Sequence, residues 1–339
     1  MVDRNCVVGA DALKVLFIGG TGRTGSTLVD RLLGSAPGWF SGGELAFLWR
    51  LGLLRGGLCA CGQKVAECDV WGTALERAFG LDGADAERMV TLRQRFWSIH
   101  LPLMAVPPLA RRRFDRLEEY PSNVEQLYRS VMEVTGDRVL IDSSKDTHYS
   151  QILRLRTDLD VYFLHLVRDP RAISYSWTKL RPEAGFRGEV NMERRNLLTS
   201  STYFYVSDIA AEALWRRDAG HYQILRYEDF VANPAAACAR IAEFVGEEID
   251  LTGVLEGNVF KPAPGHTTWG NPNRFETAPT AIRADDAWRS EQTRWRSAAA
   301  GALNAPLGAR YGYGVTSGAR LRQMSRGLRR HDLMGHPVD

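Results

Sequence analysis

The segment FIGGTGRTGSTLVDRLL, residues 17–33, restricts what this chain can fold into more than any other stretch. Just before and into it runs KVLFIG (14–19), a short apolar run of the kind that forms a strand buried in a parallel sheet. After the glycines, Leu28, Val29, Leu32 and Leu33 repeat with helical spacing, so a helix beginning near Ser26 turns one apolar face to that sheet. Strand, glycine-rich turn and helix N-terminus together make an anion site: free backbone N–H groups converge on the ligand and the helix dipole favours negative charge.

The loop lacks the equipment of a Mg·ATP enzyme. Gly20 to Gly25 supplies the G-x-x-x-x-G spacing, but Ser26 occupies the position of the lysine that reaches the β- and γ-phosphates. The aspartate that ends a later aliphatic run, Asp169, is flanked by Arg168 and Pro170 and is unsuited to holding the metal. What remains suits a mononucleotide 5′-phosphate carrying a transferable group. Gly22, Arg23, Thr24, Gly25, Ser26 and Thr27 form the cradle, with Arg23 as a planar clamp on the oxyanions. A P-loop kinase-like enzyme and a non-catalytic nucleotide-binding module are the alternatives.

Further strands are expected at 138–142, 160–167 and 222–227, separated by helical patterns, which predicts an α/β fold with a mainly parallel sheet in three layers. Each strand runs into polar or charged residues, and in an open α/β sheet the ligand crevice lies at those carboxyl ends. Residues 56–135 read as a helical insertion, or lid, over the site, interrupted by VPPLARRRF (106–114). Residues 191–217 and 285–303 read as two long helices. A single domain over 1–316 is expected, followed by a basic, partly disordered tail over 317–339 containing Arg320, Arg322, Arg326, Arg329 and Arg330.

Net charge is +3 with 43 basic residues, of which 38 are arginine, too mild a balance for a nucleic-acid partner. No window has the roughly 20 apolar residues of a transmembrane helix. The N-terminal residues lack the layout of a secretory signal. A cytoplasmic location is therefore expected. Five cysteines, an odd number, argue against a disulfide framework. Cys59, Cys61 and Cys68 lie close together, yet no fourth ligand stands at zinc spacing beside them. The expectation is reduced thiols shaping a loop, with a bridge to Cys68 as one alternative and metal as another.

GGTGRTGSTLVDRLL resembles the 5′-phosphosulfate loop of sulfotransferases that use 3′-phosphoadenosine-5′-phosphosulfate (PAPS). Three later segments match in order. LVRDPRAISYSW (166–177) is similar to the 3′-phosphate motif of that family, with Arg168 at a strand end and Ser176 eight residues on. LRYEDFVANP (225–234) resembles its Y-E-D segment, containing Tyr227, and HTTWGNPNRF (266–275) resembles the loop that closes over the nucleotide, with Gly270, Asn271 and Arg274. The resemblance implies a P-loop sulfotransferase-like fold of bacterial type. It also implies transfer of a sulfuryl group from PAPS to a hydroxyl of a small molecule, glycan or glycolipid, with 3′-phosphoadenosine-5′-phosphate as product and no metal required.

The second motif also stands on its own chemistry. Asp169 can cap and Pro170 open a helix, leaving Arg168 at the strand tip beside that helix and Ser176 two turns along. The alternative role for Arg168 is an ion pair with Glu228 or Asp229. For the base that takes the acceptor proton, Glu44 is preferred, at a helix start behind a short strand, and it resembles a catalytic glutamate of some sulfotransferases. Lys145 is the expected donor to the bridging oxygen or sulfuryl group. His148 is the rival base, although K-D-T-H departs from the family's K-T-H. His100 and His165 read as packing residues. Trp71, Phe96, Trp97, Phe114 and Tyr120 line either an acceptor pocket or the core.

Overall fold

The computed structural model describes residues 12–81, 85–97, 118–180, 185–186 and 192–314. The 106–114 segment, His100, Phe114 and the basic tail lie outside the described residues. Five parallel strands form the central sheet: β1 (Lys14–Gly19), β2 (Trp39–Gly43), β3 (Val139–Asp142), β4 (Asp160–Val167) and β5 (Tyr222–Arg226), in the order β2-β3-β1-β4-β5. The glycine-bearing strand is therefore the central one. Chain connections leave it to one side for β2 and β3 and cross to the other for β4 and β5, so its carboxyl end is the topological switch point where α/β sheets bind ligands.

The period-two alternation of β1 separates the two faces of the sheet. Val15 and Phe17 point into one apolar cluster with Leu127 and Val131 of α4 (Glu119–Thr135), Ile152 of α5 (Thr147–Arg156) and Trp215 of α7 (Leu197–Trp215). Leu16 and Ile18 point into the other, with Val29 and Leu32 of α1 (Ser26–Leu33) and Ile241 of α9 (Pro234–Val245). Helices cover both faces, which makes the three-layer α/β architecture expected from the strand spacing. α2 (Asp69–Phe79) and α3 (Ala86–Trp97) complete the described part of the helical insertion. Trp71, Phe96 and Tyr120 are fully buried in the first cluster, so these aromatics are core rather than pocket wall.

α6 (Pro170–Thr178) begins as its sequence dictates: the Asp169 carboxylate accepts from the Arg171 backbone N–H at 2.9 Å, and Pro170 fills the first helical position. α8 (Tyr227–Ala232) follows β5 directly. The helix expected over 285–303 is two, α10 (Ala287–Glu291) and α11 (Arg294–Leu303). Gln292 and Thr293 adopt extended dihedrals, and Thr293 takes the N-cap position of α11 without a side-chain capping hydrogen bond. Leu48–Leu54, after β2, winds as a π-helix, an uncommon form often found beside functional sites.

Candidate functional site

The loop after β1 is shaped by three residues with positive φ, Gly20 (104°), Arg23 (70°) and Gly25 (92°). A Cβ on Gly25 would stand 2.6 Å from the Tyr227 ring, so both the turn and the close approach of α8 require glycine here. Behind the loop, the Thr21 N–H donates to Asp208, which faces His165 Nε2 at 2.5 Å. His165 Nδ1 meets the Tyr222 hydroxyl at 2.8 Å. His165 is thus a packing residue that anchors the loop from within. Thr24 faces inward as well, its hydroxyl donating to the Thr21 carbonyl at 3.2 Å, and it contributes no side chain to the cavity.

In front of the loop lies a cavity of about 760 Å³. Gly22, Arg23, Gly25, Ser26 and Thr27 form one wall; Arg168, Ser176 and Tyr227 form another. The Arg23 guanidinium lies 4.8 Å from the Trp177 ring centroid. Arg168 is 5% exposed and stacks over Tyr227 at 4.4 Å, with Nη1 donating to the Arg23 carbonyl at 3.2 Å. The strand tip and the glycine turn are therefore in direct contact. Arg168 pairs with neither Glu228 nor Asp229: its carboxylate partner is Asp285, at 3.1 Å, whose carboxyl, against the opposing effect of burial, the hydrogen bond and charge of Arg168 hold below the usual aspartate range. Glu228 instead accepts from the Asp169 N–H at 3.1 Å, and Asp229 lies 3.8 Å from Arg226.

Among the described residues, two buried donors on side chains that line this cavity have no hydrogen-bond partner: Arg168 Nε and Trp177 Nε1. Leaving such a group unsatisfied costs about 1–3 kcal/mol. Donors stranded beside arginines and a helix N-terminus are what an anionic ligand would complete.

Glu44 and Lys145 meet on the opposite rim. Lys145 Nζ donates to Glu44 Oε1 at 2.6 Å and to the Ser143 carbonyl at 2.7 Å, and both side chains of the pair are largely buried. Lys145 has φ 62°; it and Arg23 are the two non-glycine residues with positive φ among the described residues. Backbone strain of this kind costs about 1–3 kcal/mol and collects at functional positions.

The strain is supported from β3. Asp142 accepts from Tyr128 Oη at 2.6 Å and from the Ser144 N–H at 2.9 Å, and the Ser144 hydroxyl, which also bonds Asp142, accepts from the Ala46 N–H at 2.9 Å. Burial raises the Asp142 carboxyl to about 7 and that of Asp30, which accepts from Ser143 at 2.6 Å, to about 6.

His148 lies on a second cavity of about 610 Å³, walled by Ala46, Phe47, Trp49, Val90, Val206 and Ala210 among others. Phe47, Ser144, Lys145, Arg195 and Tyr203 face both cavities, so the two adjoin at the Glu44–Lys145 pair. Of the two candidate bases, Glu44 lines the loop cavity and His148 does not.

The 266–275 segment closes the first cavity from the side. Asn271 lines it, its N–H 3.4 Å from Thr27 Oγ1, while a Cβ on Gly270 would lie 3.7 Å from Glu44 Oε1. Arg274 does not line it. That guanidinium is buried against Phe275 and donates to the Gly270 carbonyl at 3.0 Å, so in this structure Arg274 braces the loop rather than facing the cavity. Sequence reasoning missed Trp177, Arg195, Tyr203 and Asp285. Trp177 follows Ser176 directly and could have been noticed, whereas nothing in the spacing marks the other three.

No curated protein sequence matches the chain. Among solved structures, it is similar to the sulfotransferase domain from the Synechococcus PCC 7002 olefin synthase, at 20% identity and a TM-score of 0.46, covering 86% of this chain and 94% of that one. The sulfotransferase domain from the curacin biosynthetic pathway gives 17% identity and a TM-score of 0.46, covering 86% and 96%. Sulfotransferase STF9 from Mycobacterium avium gives 15% identity and a TM-score of 0.36, covering 70% and 65%. The profile of the family described as "Sulfotransferase family" matches residues 16–250, a span that begins in the central strand and takes in the anion loop, the Glu44–Lys145 pair and Arg168, and the chain belongs to the sulfotransferase family.

Proposed function

We propose that the chain transfers a sulfuryl group from PAPS to a hydroxyl of a small molecule, or of a glycan or glycolipid unit small enough to enter the second cavity. The observation that carries this reading is the continuity of one cavity from the glycine turn to Arg168 and Ser176. A nucleotide phosphorylated at both 5′ and 3′ positions needs two anion sites within its own length, and the Arg168–Arg23 carbonyl contact supports that spacing. The first-turn N–H groups of α1 and the Arg23 guanidinium would hold the 5′-phosphosulfate; Arg168 and Ser176 would hold the 3′-phosphate.

Transfer requires an acceptor oxygen in line with the sulfur, donors on the charge that develops, and a base. In this reading Lys145, at the junction of the cavities and hydrogen-bonded to Glu44, would donate to the bridging oxygen while Glu44 would take the acceptor proton. The second cavity has the size and apolar wall of a small-molecule site. No residue of the glycine turn replaces the lysine of an ATP-type loop, which disfavours phosphoryl transfer.

The test is thermal shift and calorimetry with 3′-phosphoadenosine-5′-phosphate in metal-free buffer, against Mg·ATP, followed by transfer of labelled sulfate from PAPS. Binding of the bisphosphate that weakens at least about tenfold in both Arg23→Ala and Arg168→Ala is expected from the loss of charge-assisted hydrogen bonds. Undiminished binding in those variants, or a preference for Mg·ATP, would reject the assignment.

A further inference from the structure

The three clustered cysteines find a fourth partner that lies 198 residues away from Cys68 in sequence. His266 Nδ1 stands 3.1 Å from Cys68 Sγ and 3.8 Å from Cys59 Sγ, and Cys59 Sγ stands 3.6 Å from Cys68 Sγ. With Cys61, the four ligand atoms lie within 4.8 Å of one another. A tetrahedral zinc bound at about 2.3 Å to sulfur and about 2.0 Å to nitrogen sets its ligand atoms about 3.5–3.8 Å apart. The observed separations bracket that figure before any ion draws them in.

The surroundings are those of thiolate ligands. The N–H groups of Val70 and Trp71 point at the Cys68 sulfur, the Gln63 N–H at the Cys61 sulfur and the Cys61 N–H at the Cys59 sulfur. Such bonds orient metal-bound sulfur and spread its charge. Cys68 is the N-cap of α2, where the helix dipole favours an anion. On the far side, the His266 carbonyl accepts from Trp71 Nε1 at 2.5 Å and the Thr267 carbonyl from the Ala60 N–H at 3.0 Å, so the histidine is delivered by backbone that already pairs with the cysteine loop. A Cys59–Cys68 disulfide would leave Cys61 and His266 gathered at the same point for no purpose.

We propose that Cys59, Cys61, Cys68 and His266 bind one zinc ion in a closed, structural site. Three thiol protons pass to solvent and the imidazole coordinates through Nδ1, with no redox change. Four protein ligands leave no position for substrate, so the ion acts as a cross-link. It ties the Leu58–Cys68 loop to the segment that continues from His266 through Trp269, whose carbonyl accepts from the Glu44 N–H at 3.4 Å, to Asn271 at the cavity rim.

The experiment is metal analysis of the full-length chain purified under reducing conditions without added metal. One zinc per chain is expected, retained through gel filtration against a weak chelator and released when a mercurial titrates the thiols, with a fall in melting temperature. Cobalt replacement should give a thiolate-to-cobalt charge-transfer band and the visible bands of a tetrahedral ion. Cys68→Ser and His266→Ala should lower zinc retention by about tenfold or more, since a missing ligand weakens such sites at least that much, while Cys238→Ser, remote from the cluster, retains it. The cobalt spectrum of the unaltered chain carries the test should the variants misfold. A folded wild-type chain with almost no zinc and no tetrahedral cobalt spectrum overturns the proposal, as does a mass lower by two hydrogens that maps to a Cys59–Cys68 bridge.

Discussion

Replacing Glu44 by Gln separates the two roles this carboxylate could have. If Glu44 takes the acceptor proton, the substitution removes a base worth about 10²–10⁴ in rate, or about 3–5 kcal/mol at roughly 1.36 kcal/mol per tenfold. If it serves only as the counter-ion of Lys145, the loss is electrostatic and structural. The pair is 2.6 Å apart with side chains only 13% and 15% exposed, so an uncompensated Lys145 would cost on the order of 1–3 kcal/mol of stability. The measurements are kcat for labelled sulfate transfer, the bisphosphate dissociation constant and the urea midpoint, for Glu44→Gln, Lys145→Met and the double variant. The expected result is a kcat lowered at least about 100-fold in Glu44→Gln, as loss of a base requires, with bisphosphate binding retained and no recovery in the double variant. Recovery of kcat in the double variant would reduce Glu44 to a counter-ion. An undiminished kcat in Glu44→Gln, with His148→Ala inactive instead, would refute the reasoning outright.

Two further outcomes follow from the turn and from the buried carboxyls. Gly25→Ala forces an L-residue to φ 92° and sets its methyl 2.6 Å from the Tyr227 ring; a loss of about 2 kcal/mol or more in urea unfolding is expected, together with loss of bisphosphate binding, and an unchanged midpoint would contradict the loop geometry. Asp30 and Asp142, raised to about 6 and about 7, hold their protons more tightly folded than unfolded, so the folded chain loses stability as pH rises from about 4 through those values. Unfolding midpoints between pH 5 and pH 8 should fall with rising pH, at up to about 1.4 kcal/mol per pH unit for each carboxyl titrating, and Asp142→Asn should flatten the slope.

Much of the frame was legible because local rules decided it. The apolar run at 14–19, the strand at 160–167 and the Asp169–Pro170 helix start are governed by burial and capping within a few residues, and the structure has them there. The bracing of Arg274, the pairing of Arg168 with Asp285 and the approach of His266 to the cysteines were not legible. Each depends on where a Pro- and Gly-rich loop returns across the sheet end, and composition carries no register for such a segment. The break at Gln292–Thr293 was missed for a related reason: helical periodicity on either side of a two-residue interruption reads as continuous.

The arrangement of the two cavities has an evolutionary consequence. The residues proposed to grip the nucleotide sit largely on strand tips and their following turns, whereas the opposite chamber is papered by side chains from the π-helical turn, α3 and α7 among others. Exchanging Trp49, Val90 or Val206 reshapes that chamber without disturbing a single phosphate ligand. On the proposed reading, acceptor preference can change by substitutions in that chamber while the transfer chemistry is left alone, with Lys145, which lines both cavities, as the hinge pin between engine and interchangeable tool.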